Sequence, residues 1–400
     1  MDRMEASHEA TGWPAGLAQT GLDESPIFTW VLVKLASRCN INCTYCYWFR
    51  DAEVYRKPPI LTVEAEQAFC DRLAEHIDAF GLKFFTLVFH GGEPLLFPKR
   101  RFVAFQERLL EIERRTGCVI SRAVCTNAIL VDDEWADILK TYEVRVGVSL
   151  DGPAEINDQN RIDHKGLGTH AQTLEGIACL RANGIEPGLI SVCNPSTDPE
   201  RILAYAVEEL GITEFDILPP DATHRDNPPA IADYYIRLFD AWYDRYAAQG
   251  VRIITLDAMI QGLLGSVSVA DTVGLVRIDT VTLMPDGTLE PLDVLRIAGD
   301  GSTKTEVSVF NNALQDIQHD VRWREAFHAS LNVCETCRNC EFLDSCGGGH
   351  LSTRWSAERR YDNPSVYCDS YKRIFDHIWA RISPTLTVEY QPVPAPAQPS

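Results

Sequence analysis

Six short apolar runs, separated by helical patterns, limit how the first half of this 400-residue chain can fold. Residues 28–35, 84–89, 121–126, 144–150, 186–192 and 214–218 read as strands, several apolar enough to be covered on both faces. Helical periodicity fills 62–79, 99–115, 132–139, 169–183 and 198–210 between them. Strands that alternate with helices predict an α/β fold, a parallel sheet with right-handed crossovers. Loops that bind ligands then belong at the carboxyl ends of the strands.

Beyond Pro220 the pattern changes. Residues 230–248 form an aromatic amphipathic pattern carrying Tyr234, Tyr235, Phe239, Trp242, Tyr243 and Tyr246, which reads as a core stripe or a peptide-facing surface. Strand-like residues 280–284 and 288–290 flank Pro285, Asp286 and Gly287, a hairpin signal. A cysteine-rich stretch, 334–368, precedes a helix over 370–382. The chain therefore divides into a flexible segment (1–27), a core (28–250), a smaller metal-bound domain (251–383) and a proline-rich tail (384–400).

A formal charge of −20 argues against nucleic-acid and anionic-membrane partners, because both are bound through cations. Residues 1–27 lack the apolar segment of a signal peptide, and no run is long enough to span a bilayer. The expected location is cytoplasmic. Thirteen cysteines in that compartment are read as thiols rather than disulfides, and their clustering suggests metal ligation.

Cys39, Cys43 and Cys46 directly follow the first strand. Three thiolates so spaced can hold three irons of a [4Fe–4S] cluster and leave the fourth iron open to a ligand. A zinc site is the alternative, although structural zinc takes four closed ligands. Cys337, Cys340, Cys346 and Cys368 form a complete four-thiolate set, suited to a zinc ribbon or to a fully ligated cluster. Cys334 is left over as a spare thiol, an alternative ligand or a peptide-facing group. Cys70, Cys118, Cys125, Cys179 and Cys193 stand singly and read as small core residues.

The Cys39, Cys43, Cys46 triad, with Tyr45 before its last cysteine, resembles the signature of the radical S-adenosylmethionine (SAM) superfamily. Other segments match that family in order. Gly91, Gly92, Glu93 and Pro94 resemble its glycine-rich segment, which binds the SAM amino group, and glycine suits close backbone approach to a ligand. Ser149, with Arg161 twelve residues on, matches the pair that contacts ribose and carboxylate. Leu218 matches the residue packed on adenine, and Thr126 and Asn127 line the same mouth. The resemblance implies that the sheet curls into a partial (β/α)6 TIM-like barrel.

The second cysteine set resembles the SPASM extension of peptide-modifying members, so the implied architecture is a radical SAM core followed by a Cys-rich SPASM-type Fe–S domain. The common pattern has further cysteines where Leu292 and His350 stand, so one auxiliary [4Fe–4S] cluster is expected instead of two. Cys346 through His350, the stretch Tyr361 to Cys368, residues 286–290 and residues 215–221 resemble the cyclophane-forming branch.

That branch acts on ribosomally made precursor peptides, joining an aromatic ring carbon to the β-carbon of a residue two positions downstream. The implied sequence is cleavage of SAM to a 5′-deoxyadenosyl radical, hydrogen abstraction, ring addition, and loss of one electron and one proton. An auxiliary cluster would accept the electron, and a ferredoxin or flavodoxin would supply reducing equivalents. Asp293 falls where sulfatase-maturing relatives carry a catalytic Asp, which makes it the first candidate base, with Asp221 second and a merely solvated or capping Asp the alternative. Thioether-, epimer- or formylglycine-forming maturation and a non-catalytic Fe–S or zinc protein are the rival readings. The 27 residues before the first strand are too few for a leader-binding domain, so peptide recognition is expected from the core, the tail or another chain.

Overall fold

The structure, a computed structural model, describes residues 26–268 and 270–386. Most of the expected flexible leader and nearly all of the proline-rich tail lie outside the described residues.

Nine strands form one sheet in the order β7-β6-β5-β4-β3-β2-β1-β8-β9. They are β1 (Trp30–Ala36), β2 (Phe84–Gly91), β3 (Val119–Thr126), β4 (Arg145–Ser149), β5 (Gly188–Val192), β6 (Glu214–Leu218), β7 (Arg252–Ile253), β8 (Val281–Leu283) and β9 (Leu289–Glu290). The first six are the expected strands. They pair in parallel with their sequence neighbours, as crossover connections require. This is the expected α/β architecture, an open and partial barrel.

Helices cover the outer face. Helix α1 (Val63–Phe80) starts where the Thr62 side chain accepts from Ala65 N–H, and glutamates in its first turn favour the positive end of the helix dipole. It ends at left-handed Gly81 and buries Phe69, Leu73 and Ile77. Helix α2 (Lys99–Thr116) applies Phe102, Phe105 and Leu109 in the same way. Helices α3 (Asp133–Thr141), α4 (His170–Ala182) and α5 (Pro199–Ala204) follow, and α5 runs on into a π-helical turn, Tyr205–Glu209.

Helix α6 (Ala232–Arg245) is the aromatic one, and its stripe is core. Tyr235 and Phe239 are fully buried, Tyr235 Oη donates to Ile217 O at 2.7 Å, and Trp242 Nε1 donates to Val251 O at 2.8 Å. Burying a side chain such as Phe239 contributes about 2 kcal/mol. Its partner in packing is α9 (Cys368–Ile382), preceded in the chain by α7 (Ile254–Leu263) and α8 (Val321–Leu331). No described helix is long and apolar enough to cross a membrane.

The hairpin forms where expected, but its place in the sheet was not foreseen. β8 runs parallel to β1, with Val31 opposite Val281 and Val33 opposite Leu283, and β9 pairs antiparallel to β8. The C-terminal half thereby extends the sheet of the core.

Candidate cluster and cofactor site

The loop carrying Cys39, Cys43 and Cys46 leaves the carboxyl end of β1 and is held from three sides. Asn42 N–H donates to Ile162 O at 2.7 Å and Thr44 N–H to Asn160 O at 3.0 Å. From β3, Asn127 Nδ2 donates to Asn40 Oδ1 at 2.8 Å and lies 3.9 Å from Cys39 Sγ. Burial pushes the Cys39 thiol up to about 12 and Cys43 up to about 11, and raises Cys46 too. The charged forms of Cys43 and Cys46 further disfavour a Cys39 thiolate, and that of Cys46 disfavours a Cys43 thiolate. Three clustered thiols that burial holds protonated fit a cationic centre, which would bind them as thiolates.

The two glycines at the end of β2 serve this loop directly. A Cβ on Gly91 would lie 2.2 Å from Ala36 O, and one on Gly92 would lie 2.3 Å from Arg38 O. Both backbones are hydrogen-bonded there, through Gly92 N–H to Ala36 O (2.9 Å) and Glu93 N–H to Arg38 O (2.8 Å). Close backbone approach was expected toward a ligand; the structure puts it against the cysteine loop. Glu93 likewise turns inward, accepting from Thr126 Oγ1 at 2.7 Å, Asn127 N–H at 2.9 Å and Leu95 N–H at 3.0 Å. Burial raises its carboxyl to about 7 against these hydrogen bonds.

Arg161 is ion-paired with a residue that sequence reasoning left out of the site. Asp151 meets its Nε and Nη2 at 3.1 Å each, accepts from Tyr45 Oη at 2.6 Å, and accepts from Val192 N–H at 3.0 Å. Burial opposes the guanidinium charge, but Asp151 and the Tyr45 and Cys43 groups outweigh it. Asp151 thus orients both Arg161 and Tyr45. The only sequence signal for it was its place two residues past Ser149. Ser149 and Leu218 stand half-buried at the ends of β4 and β6, on the same carboxyl rim as Thr126 and Asn127.

Asp293 is buried and ion-paired with Lys34, a fully buried residue of β1. Tyr47 Oη donates to Asp293 Oδ2 at 2.6 Å, and Lys34 Nζ also lies 2.9 Å from His90 Nδ1. Burial would raise the Asp293 carboxyl, but Lys34, His90 and Tyr47 hold it well below the carboxylate range. His90 is lowered to about 4 by burial and by Lys34. The signal for this network was a lone lysine inside the apolar run Val31–Ala36. Asp221 lies elsewhere on the rim, 3.7 Å from His350 Nδ1 and 3.4 Å from Ser352 Oγ. Burial lowers His350, but Asp221 and Asp271 raise it more.

Cys337, Cys340, Cys346 and Cys368 line one cavity together with Gly348. Burial pushes Cys337 and Cys346 up to about 12. The turn between the third and fourth thiols is made of Gly347, Gly348 and Gly349, all left-handed at φ 60°, 85° and 74°. Four thiols lining one cavity suit a closed tetrahedral or cubane centre. Cys334 is 1% exposed with its Sγ 3.5 Å from Cys337 Sγ, so it does not face a peptide. Leu292 packs into an apolar cluster with Leu351 and Trp355, and His350 sits between Asp221 and Asp271. No thiol stands at those two positions. Among the single cysteines, Cys70, Cys118 and Cys193 are buried as expected, whereas Cys125 and Cys179 are partly exposed.

Residues 33–203 match the family model of the radical SAM superfamily. The chain is 26% identical over 384 residues to a cysteine-type anaerobic sulfatase-maturating enzyme of Clostridium perfringens, covering 88% of this chain and 96% of the relative. A serine-type anaerobic sulfatase-maturating enzyme of Bacteroides thetaiotaomicron is 30% identical over 170 residues, 41% of this chain and 39% of that one. Among solved structures, native anSMEcpe with bound AdoMet and Cp18Cys peptide matches with TM-score 0.75 and 23% identity, over 89% of this chain and 98% of that one. Streptococcus suis SuiB bound to precursor peptide SuiA matches with TM-score 0.57 and 14% identity, over 84% and 75%. These structural likenesses establish the fold.

Proposed function

We propose that this chain, a radical SAM enzyme, modifies a ribosomally made peptide by joining an aromatic ring carbon to the β-carbon of a nearby residue. The observation that carries the reading is the pairing of a three-thiol loop at the barrel mouth with a separate four-thiol cavity. Cys39, Cys43 and Cys46 would hold a [4Fe–4S] cluster able to take SAM, and Cys337, Cys340, Cys346 and Cys368 would hold one auxiliary cluster. Leu292 and His350, in place of cysteines, set the chain apart from the two-auxiliary-cluster pattern, and the likeness of Cys346–His350 and Tyr361–Cys368 to the cyclophane-forming branch supports a crosslink over formylglycine. Full-length similarity to sulfatase-maturating enzymes supports formylglycine formation as the second reading.

When bound, that cluster and SAM would supply the radical chemistry, hydrogen abstraction from the peptide. The protein's own residues do the rest. Glu93 fixes Thr126 and Asn127, and Asn127 braces the Cys39 loop. Asp151 sets the positions of Arg161 and Tyr45 at the SAM side of the mouth. Asp293, kept ionised by Lys34 and hydrogen-bonded by Tyr47 Oη, would take up the proton released when the ring regains aromaticity. Asp221, beside His350, is the second acceptor. An electron donor of the ferredoxin or flavodoxin type serves the chain.

The test is anaerobic reconstitution, iron counting and incubation with SAM, reductant and two peptides. One peptide presents an aromatic residue two positions before its partner, and the other a sulfatase-type Cys or Ser. Loss of two hydrogens from the first, with no fragment ions between the linked residues, supports the crosslink. A carbonyl-reactive product from the second alone refutes it. About eight irons correspond to two four-iron centres.

A further inference from the structure

Six lysine and arginine side chains are buried among the described residues: Lys34, Lys57, Arg122, Arg161, Arg296 and Arg354. Five have a carboxylate partner, namely Asp293, Asp286, Glu113, Asp151 and Glu290 in turn. Arg354, only 1% exposed, has none among the described residues. All its hydrogen bonds go to main-chain carbonyls: Tyr361 O from Nε and Nη2 (3.1 and 3.0 Å), Ala329 O from Nη1 (2.8 Å) and Asn332 O from Nη2 (3.0 Å). Asp362, the carboxylate whose charge bears most on Arg354, is itself paired with Arg359 at 3.0 Å.

An unpaired charge taken out of water costs several kcal/mol, so a folded chain that keeps one has a compensating group nearby. The candidate is the four-cysteine cavity. A Cβ on Gly348, which lines that cavity, would touch Arg354 at Cδ (3.5 Å) and Nε (3.7 Å), so the guanidinium lies directly under the glycine turn. Cys337, Cys334 and Cys346 are among the groups whose negative charge would favour Arg354 most. Neutral thiols give no such compensation. A cubane held by four thiolates is a net anion, and reduction adds one more negative charge.

We infer that Arg354 is the built-in counter-charge of the four-cysteine centre and raises its reduction potential. This rests on the reading of that cavity as an iron–sulfur site. Net charge and hydrogen bonding near the sulfurs are the levers by which a protein sets such a potential. A guanidinium sealed from water acts strongly because little solvent screens it. The centre therefore takes an electron more readily than the same four thiolates would in an apolar pocket.

The test uses the full chain with Cys39, Cys43 and Cys46 changed to alanine, so that only the auxiliary centre titrates. Iron is counted, and the midpoint potential is followed by electron paramagnetic resonance for Arg354, Arg354→Lys and Arg354→Gln. The expected result is a lower midpoint in Arg354→Gln, with Arg354→Lys close to the parent. An unchanged midpoint in Arg354→Gln, or an equal drop in both variants, overturns the inference. If Arg354→Gln fails to retain iron, retention by Arg354→Lys supports the counter-charge. Loss of iron from both variants would mean that the carbonyl ties alone matter, which refutes it. A parent that binds zinc or no metal overturns both the inference and the cluster reading beneath it.

Discussion

Tyr47 and Asp293, separated by almost the whole core in sequence, share a 2.6 Å hydrogen bond inside the barrel, with Lys34 on the same carboxylate oxygen. Asp293→Asn keeps the size of the side chain and removes its basicity. SAM cleavage should persist while crosslinked product falls by about 100-fold, the usual scale for a lost general base. Liquid chromatography with mass spectrometry of 5′-deoxyadenosine and peptide checks this. Parallel loss of both products would make Asp293 structural.

Removing Lys34 should be costly in a different way. Lys34→Met leaves a buried carboxylate without its cation, a loss of about 3–5 kcal/mol. Chemical denaturation would read it, and the double variant with Asp293→Asn should recover much of the loss. The pairing depresses the Asp293 pKa, so its stabilisation is present above the ordinary carboxylate range and fades as pH falls through and below it. In the double variant that acid-side loss should shrink.

Glu93 runs the opposite way. Its carboxyl is raised to about 7, so the folded state prefers it protonated. Its contribution is complete below the ordinary Glu range near pH 4 and is lost as pH rises toward 7. Glu93→Gln should flatten the melting temperature across that window, which scanning calorimetry would measure. A slope equal to that of the parent rules the assignment out.

Gly92→Ala should act on iron before it acts on fold. The added methyl must push away Arg38 O, which lies in the backbone leading into Cys39. Iron content should drop from about eight to about four, the auxiliary centre surviving. Retention of all the iron would mean that the loop tolerates the shift.

Cys334 lies beside the four-cysteine cavity but does not line it. Cys334→Ser should leave the iron count and the auxiliary spectrum unchanged, whereas Cys337→Ser should abolish that spectrum. Loss of iron from Cys334→Ser would place Cys334 among the ligands.

Much of this was readable from the chain because period and spacing are local. The six strand runs and the helix starts at Thr62 and Asp132 follow from patterning and capping side chains that act within four residues. The cysteine sets could be grouped for the same reason. What could not be read was pairing across distance. Nothing near Arg161 in sequence announces that Asp151 pairs with it, and nothing near Asp293 announces Lys34, 259 residues away. The glycines at 91 and 92 were assigned to ligand approach because sequence marks the need for a missing Cβ without naming the neighbour that imposes it. Parallel pairing of β8 with β1 left no mark either, since any apolar three-residue strand can fill an open edge.

That last pairing governs how the molecule comes apart. Were the chain cut after residue 250, β1 would present a bare row of peptide groups where β8 now pairs, and Lys34 would lose its counter-ion. The two halves therefore stand or fall together, and melting should appear as one cooperative transition with no independently stable core.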